Sequence, residues 1–440
     1  MNTPWRETWL SSYCLGGCVL FVLGVLNLWA IVSTSSSSDF FLVWALGKAG
    51  TLQQTEFGNL YTKESKHNFQ KSISEWPAGK TDPKLQDCLR QRADMNLCAT
   101  PFYFSAHFPF LSFTSYEREQ YRYSWVLVFC FCLAIVLAAF LFEVSKQNTL
   151  FFLALCFLFF DPFFISLSLG NSNEITLLGC VIFHFFQKRS PTHFGVFWEG
   201  IWITLLTLFK PLFIFSWFLI LISKIVFEGW NKVVEFLGGA LGALFLALGI
   251  SAFYFNLQDS WWGWHTYLRS LDLAYWADSI RFGNQALIAG VYSVSGKDLT
   301  FFSGFVLFVL VCILLSVWKN RFPSGALPFA LRVWLFWLGF FCFQSLSPLV
   351  WYHYESHLAL LFFLLFASFQ SKNIRGNGWR FGIFLLSWML IASRSSWESY
   401  FEISRAEATF QIYIAEVFLF GVLSILPPFS FFKPRLRNRE

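Results

Sequence analysis

The chain has 440 residues, of which 56% are hydrophobic and only 13% charged, with a formal net charge of +6. Soluble domains carry about 25% charged residues, so the composition excludes a soluble fold and points to an integral membrane protein. The positive charge would suggest nucleic acid in a soluble protein, but here the basic residues sit in short loops and a tail, where the Lys/Arg bias of cytoplasmic loops explains them.

The first apolar run, Leu10 to Val32, is long enough to cross a bilayer. It exceeds the roughly 7–15 residues of a signal-peptide core and lacks a clean cleavage site, so it reads as a retained anchor. It opens onto a polar segment of about ninety residues, Ser33 to Tyr123, too long for a mere connection and read as a functional first extracytoplasmic loop. That loop begins Ser33-Thr34-Ser35-Ser36-Ser37-Ser38-Asp39-Phe40-Phe41. Its charged middle, Lys63 to Arg92, reads as helical and partly exposed. Its end, Phe102 to Phe113, is aromatic around Pro109 and reads as a membrane-surface element.

Three spans follow: Ser124 to Phe142, Leu150 to Leu169 and Glu174 to Phe186. Lys146, Lys188 and Arg189 in the loops after the first and third place those loops, and the N-terminus, inside. The next run, Phe194 to Phe227, is too long for one span and is interrupted by Lys210-Pro211. Proline removes a backbone donor and kinks a helix, and a lysine at bilayer depth costs about 2.5–3.5 kcal/mol on insertion scales. Two short helices meeting at Lys210 are therefore expected. Val233 to Phe255 leads out to a second large loop, Asn256 to Thr300. Phe301 to Trp318, Trp334 to Gln344, His357 to Phe369, Phe381 to Ala392 and Phe410 to Leu426 complete the spans, before a basic tail, Lys433 to Glu440. The expected architecture is one all-helical transmembrane domain of about twelve crossings with both ends inside.

Eight of the ten cysteines fall within apolar runs, where cysteine is usually a small packing residue. Cys88 and Cys98 alone lie in a polar loop, and their spacing allows either a disulfide in an oxidising compartment or two thiols. No metal-ligand spacing such as CxxC occurs.

With this orientation the unusual segments share the outer face: Asp39, Gly170-Asn171-Ser172-Asn173, Arg281-Phe282-Gly283-Asn284-Gln285, and Ser347-Pro348-Leu349-Val350-Trp351-Tyr352-His353. Lys210 lies at a helix break beneath them. A cavity lined by a carboxylate, a lysine, an arginine, a histidine and amides suits a phosphate-bearing amphiphile. Each residue also has a plainer reading. Asp39 reads equally as a helix cap or a solvated acid, and Lys210 as a side chain snorkelling to the interface. His353 reads as a member of an aromatic belt, Gly170 to Asn173 as a turn, Asp161-Pro162 as a helix break, and Glu199 as a residue facing water near the cytoplasm.

The order of these motifs carries a resemblance. Asp39, then Gly58-x-Leu60-Tyr61, Gly170-Asn171-x-Asn173, Phe209-Lys210-Pro211, Asn284-Gln285 and Ser347-Pro348-x-x-Trp351-x-His353 together resemble the bacterial integral-membrane glycosyltransferases of family 87. That family includes polyprenol-phosphate-mannose-dependent mannosyltransferases. The chain departs from it at Asn171, where the family usually has Gly-Gln-x-Asn, and at Ala286, where it has Asn-Gln-Ser. Both departures bear on sugar or lipid preference.

The resemblance implies a GT-C-like multi-span bundle in the bacterial cytoplasmic membrane with its active site facing the periplasm. Its donor is a sugar on a polyprenyl phosphate, mannose foremost, and its acceptor a lipid or glycan. It further implies Asp39 as general base, and Lys210, Arg281 and His353 on the donor phosphate. Asn171, Asn173, Asn284 and Gln285 become substrate contacts, and Trp44, Trp351 and Tyr352 stack on sugar faces, while Phe102 to Phe113 steers the lipid chain. No cofactor and no metal are implied, since no second acid lies beside Asp39 in the sequence. A lipid or sugar transporter would also need a polar cavity and intramembrane charge, and a different GT-C transferase or polymer ligase is the alternative within enzymes. The clustering of polar groups on one side and the lack of a sequence repeat favour the enzyme.

Overall fold

The computed structural model describes residues 4–53, 61–76, 81–92, 99–189, 193–269, 286–321, 327–347, 350–369 and 378–392, together with 414, 415 and 417. Among them every regular element is helical, as a lipid-solvated backbone requires: with no water to satisfy them, N–H and C=O groups must pair within their own segment. In chain order the first helices are α1 (Pro4–Thr34), α2 (Ser38–Gln53), α3 (Lys63–Glu75), α4 (Pro83–Gln91), α5 (Pro101–His107), α6 (Tyr116–Leu141), α7 (Lys146–Phe159), α8 (Asp161–Leu169) and α9 (Asn173–Arg189). Then come α10 (His193–Phe209), α11 (Ile214–Ser223), α12 (Trp230–Ala252), α13 (Leu257–Arg269), α14 (Leu287–Ser295), α15 (Thr300–Arg321), α16 (Phe329–Leu346), α17 (Leu358–Phe369) and α18 (Gly378–Ala392). The expected last span and the basic tail lie outside the described residues, apart from 414, 415 and 417.

Six described segments are long and apolar enough to cross a membrane: Gly16–Thr34, Tyr116–Leu141, Pro211–Glu228, Trp230–Ala252, Thr300–Arg321 and Phe329–Leu346. A seventh arises if α7 and α8, bent by 66°, are one broken span. The sequence reading counts that stretch as one span and gives Asp161-Pro162 as a helix break within it. The bend falls at Asp161-Pro162, where proline occupies the first turn of α8 and leaves no N–H to continue α7. Gly195–Phe209 and Phe381–Ala392 are apolar but shorter. Multi-pass helical architecture is thus evident, and several expected crossings are built from pieces shorter than a full span.

The break at Lys210 takes the expected form. Lys210 is extended (φ −137°, ψ 115°), as a residue before proline prefers, and α10 ends there. Proline leaves carbonyls of the last turn without helical donors, and the Thr100 hydroxyl donates to the Leu208 carbonyl at 2.5 Å. The residues before α5 are thereby pinned to the broken helix. Phe102, Tyr103 and Phe104 are buried, with Tyr103 5.0 Å from the ring of Phe209, while Phe110 is 86% exposed. The aromatic stretch read as a surface element is mostly a wedge inside the bundle. Its rings are apolar enough to pack, and the α10 carbonyl gives its N-terminus a polar anchor.

Small residues set the closest helix contacts. α10 lies along α12, where Gly200 faces the Phe236 carbonyl and Gly239 the Phe197 carbonyl, leaving no room for a Cβ at either glycine. α11 packs on α16, with the Ser216 hydroxyl donating to the Phe336 carbonyl at 2.7 Å. Phe131, Phe157 and Phe163 knit α6, α7 and α8, the Phe131–Phe163 centroids being 4.2 Å apart. By contrast α15 buries only 11% of its apolar window and exposes Phe301, Phe302, Phe305 and Phe308. Such a surface suits lipid contact.

Glu199 does not face water. It is fully buried, and its carboxylate lies 2.7 Å from the Lys224 ammonium, which also meets Glu228 at 3.1 Å. Lys224–Glu228 is a π-helical turn ended by Gly229 (φ 88°), and this wider turn carries Lys224 into the interior opposite α10.

Candidate functional site

The serine run closes α1 and starts α2 through backbone donors and acceptors rather than side-chain bulk. Ser37 is left-handed (φ 57°) and donates its N–H to the Ser168 carbonyl at 3.2 Å. The Tyr116 hydroxyl donates to the Ser36 and Ser37 carbonyls, and the Gln120 amide to the Ser37 hydroxyl at 3.0 Å. The chain is thereby turned so that Asp39 falls in the first turn of α2, where a carboxylate also meets the positive end of the helix dipole. Facing it, α8 ends at Gly170 in the left-handed conformation (φ 67°), with the Gly170 and Asn171 N–H groups closing onto the Leu167 and Ser166 carbonyls. A Cβ on Gly170 would lie 2.7 Å from that of Ser37 and 2.8 Å from that of Phe40, so the two turns interlock only because this residue is glycine.

Asn171 projects from this turn and uses its whole amide. Its Nδ2 donates to Asp39 Oδ2 at 2.8 Å and to His353 Nε2 at 3.1 Å, and its Oδ1 accepts from the Lys210 ammonium. Asn173 repeats the pattern two residues on. Its Nδ2 donates to the His353 carbonyl at 2.8 Å and to the Ser166 hydroxyl at 3.2 Å, and its Oδ1 also accepts from Lys210. Two asparagines therefore clamp one lysine and join it to the acid and the histidine. All four segments are remote in sequence, and the broken helix is what brings Lys210 to them.

A further cation completes the cluster. Arg92, just past the end of α4, donates from Nη2 to Asp39 Oδ1 and to the Ser38 hydroxyl at 3.3 Å. α4 is docked on the serine turn by Cys88, whose thiol donates to the Ser36 carbonyl at 3.1 Å, and by Lys84, which donates to the Ser33 carbonyl at 3.2 Å. Burial alone would raise the Asp39 carboxyl, but the Arg92 guanidinium and the Asn171 hydrogen bond hold it below the ordinary carboxylate value. It is therefore an anion at neutral pH. Burial pushes His353 the other way, down to about 3, against the pull of Asp39 4.0 Å away, so its imidazole is neutral and its Nε2 accepts the Asn171 hydrogen.

Of the residues singled out in the sequence, Asp39, Asn171, Asn173, Lys210 and His353 meet here. Others lie elsewhere. Trp44 is fully buried against Tyr116 and Trp76, at centroid distances of 5.3 and 5.7 Å, as part of the core. Tyr352 is buried and donates its hydroxyl to the Ile391 carbonyl. Trp351 is half-buried at the entrance to the turn Tyr352–His357. Arg281, Asn284, Gln285 and Cys98 lie outside the described residues, and Cys88 is a free, buried thiol. The sequence reading missed Arg92, which it treats as the end of a solvated helix. It also missed Tyr354, whose ring faces Lys210 at 5.6 Å, and Glu174, a fully buried acid directly after Asn173. The signal for Glu174 was its place beside the asparagine turn at the start of a span. Nothing local marks Arg92.

Compared with family models, curated proteins and solved structures, the chain matches none.

Proposed function

We propose that the chain is an inverting glycosyltransferase with a GT-C-like bundle of about twelve crossings. In this reading it moves a sugar, mannose first among candidates, from a polyprenyl-phosphate donor to a lipid or glycan acceptor on the outer face of the bacterial cytoplasmic membrane. The observation that carries the proposal is the hydrogen-bonded cluster in which one ionised acid, Asp39, is held beside a buried lysine and a neutral histidine by two asparagines.

Asp39 takes the proton of the acceptor hydroxyl. The acceptor oxygen attacks the anomeric carbon, the bond to the polyprenyl phosphate breaks with its electron pair leaving on the phosphate, and the centre inverts. Lys210 faces the negative charge growing on the departing phosphate. Neutral His353 offers no competing charge to Asp39 and holds Asn171 in place. A carboxyl held below the ordinary value is ionised at any physiological pH, the state a general base must start from and an acid catalyst must not. A donor on a lipid also fits the proposed topology, because nucleotide sugars are absent outside the membrane.

The test is transfer from a labelled polyprenyl-phosphate sugar by purified protein. Asp39→Asn is expected to lower turnover by about 10²–10⁴-fold, the usual contribution of a general base, in a protein that still folds and still binds polyprenyl phosphate. Wild-type turnover in that variant refutes the assignment. Transport of the same lipid without transfer would move the chain to the transporter class.

A further inference from the structure

Arg92 is an unusual partner for a general base. A guanidinium that recognises a carboxylate or phosphate normally presents two parallel N–H groups. Here its Nη2 serves both Asp39 Oδ1 and the Ser38 hydroxyl, while its Nε is buried with no acceptor among the described residues. One half of the fork is unused, and a buried donor left unpaired carries a desolvation penalty that an incoming acceptor would relieve. Asp39 is correspondingly crowded, with Oδ1 occupied by Arg92 and Oδ2 by Asn171. In this arrangement the carboxylate is a poor proton acceptor, and its strongest bond is to the arginine. Yet Arg92 is the more exposed partner, with 28% of its side chain accessible against 14% for Asp39, and it sits at a helix end with non-helical backbone (φ −116°, ψ 40°). The arginine is the member of the pair that has room to move.

Resting on the functional reading above, we infer that Arg92 is shared between two anions: it holds Asp39 while the site is empty and passes to the donor phosphate when the donor binds. The phosphate supplies oxygens for both halves of the fork, Nε included. Arg92 then joins Lys210 on the leaving group, and Asp39, released, becomes basic enough to take the acceptor proton. Donor binding and base activation are thereby one event. The charged and titratable groups facing Asp39 are Arg92 from the end of α4, Lys210 from the α10 break and His353 from the turn before α17. Tyr103 of α5 and Tyr116 and Tyr123 of α6 lie in the same field. Arg92 is the largest of the charges acting on the carboxyl.

Two measurements on the full-length protein in nanodiscs test the sharing. In the first, binding of polyprenyl phosphate is titrated. Because Asp39 competes for Arg92, Asp39→Asn is expected to bind roughly tenfold tighter than wild type, Arg92→Ala roughly tenfold weaker, and the double variant no tighter than Arg92→Ala. Arg92→Lys, which keeps the charge and loses the fork, is expected to recover only part of the loss. In the second, pH profiles are compared. kcat/KM reports the free enzyme and kcat the substrate complex, so in wild type the acid limb of kcat/KM should lie at lower pH than that of kcat. In Arg92→Ala the two limbs should coincide, because the cation that separates them is gone. Unchanged or weaker polyprenyl phosphate binding by a folded Asp39→Asn, or coincident acid limbs in wild type, overturns the inference and leaves the glycosyltransferase reading standing. A wild-type protein that neither binds polyprenyl phosphate nor transfers sugar overturns both.

Discussion

The interlock of Gly170 with the serine turn makes a quantitative prediction. Gly170→Ala places a methyl group 2.7 Å from Ser37 Cβ and 2.8 Å from Phe40 Cβ, in a backbone conformation (φ 67°) that L-residues resist. The left-handed conformation costs about 1–2 kcal/mol, and forcing a methyl into filled space about 1–3 kcal/mol more, giving roughly 2–5 kcal/mol in all. Gly296 is the internal control: it also caps a helix in the left-handed region (φ 66°), but nothing lies within 4 Å of its would-be Cβ. Gly296→Ala should therefore lose only the first contribution. Both variants would be followed by thermal unfolding in one detergent, and Gly170→Ala should lower the midpoint at least twice as far. The same methyl pushes the turn bearing Asn171 away from Asp39, and a misplacement of about 1 Å at a catalytic centre can cost about 10² in rate. Turnover in Gly170→Ala is thus expected to fall about a hundredfold, with Gly296→Ala close to wild type. Equal midpoints for the two variants, or full activity in Gly170→Ala, would refute the claim that these two turns set the site.

Three further outcomes are expected. Burial lowers His353 to about 3 and His107 to about 4, so from those values up to about 6.5 the unfolded chain binds protons that the folded protein does not. Their contribution is complete above about pH 6.5 and is lost on acidification by up to about 1.4 kcal/mol per pH unit for each histidine. The depressed Asp39 carboxyl adds a loss of the same sign at still lower pH, so the unfolding midpoint should fall from pH 7 to 5, with a shallower slope in His353→Gln. Lys224→Ala leaves Glu199 buried without its ion-pair partner and should destabilise by about 3–5 kcal/mol in thermal unfolding, with Lys224→Met/Glu199→Leu recovering most of that loss. Tyr352→Phe removes the hydroxyl bond to the Ile391 carbonyl, so it should cost about 1 kcal/mol of stability and leave the KM for donor unchanged. A KM rising severalfold would return Tyr352 to substrate contact.

The features legible in the sequence are those fixed by local chemistry. Hydropathy and the length of a bilayer mark α6, α12 and α15, and a proline marks the breaks at Asp161 and Lys210. Asp39, Asn171, Asn173, Lys210 and His353 stood out because polar groups at the ends of apolar runs are costly unless they meet. What escaped depends on packing between remote segments. Arg92 ends a short amphipathic helix and gains its meaning only from the serine turn that α4 docks against. Trp44 has the residue type of a sugar platform, but α2 turns it inward onto Tyr116. Glu199 lay in an apolar run with its lysine well downstream, and the π turn that joins them has no marker in composition.

One consequence of α6 concerns depth. At 1.5 Å per residue its 26 residues make a rod of about 39 Å, some 9 Å longer than the roughly 30 Å hydrocarbon layer. The surplus falls at its polar start, Tyr116 to Tyr123, because the rest of the helix is apolar. There Tyr116 and Gln120 hold the serine turn, and the Tyr123 ring stacks on Phe40 at 4.5 Å. The helix acts as a gauge: its apolar part is long enough to cross the hydrocarbon, and its polar overhang holds the serine turn that leads into Asp39.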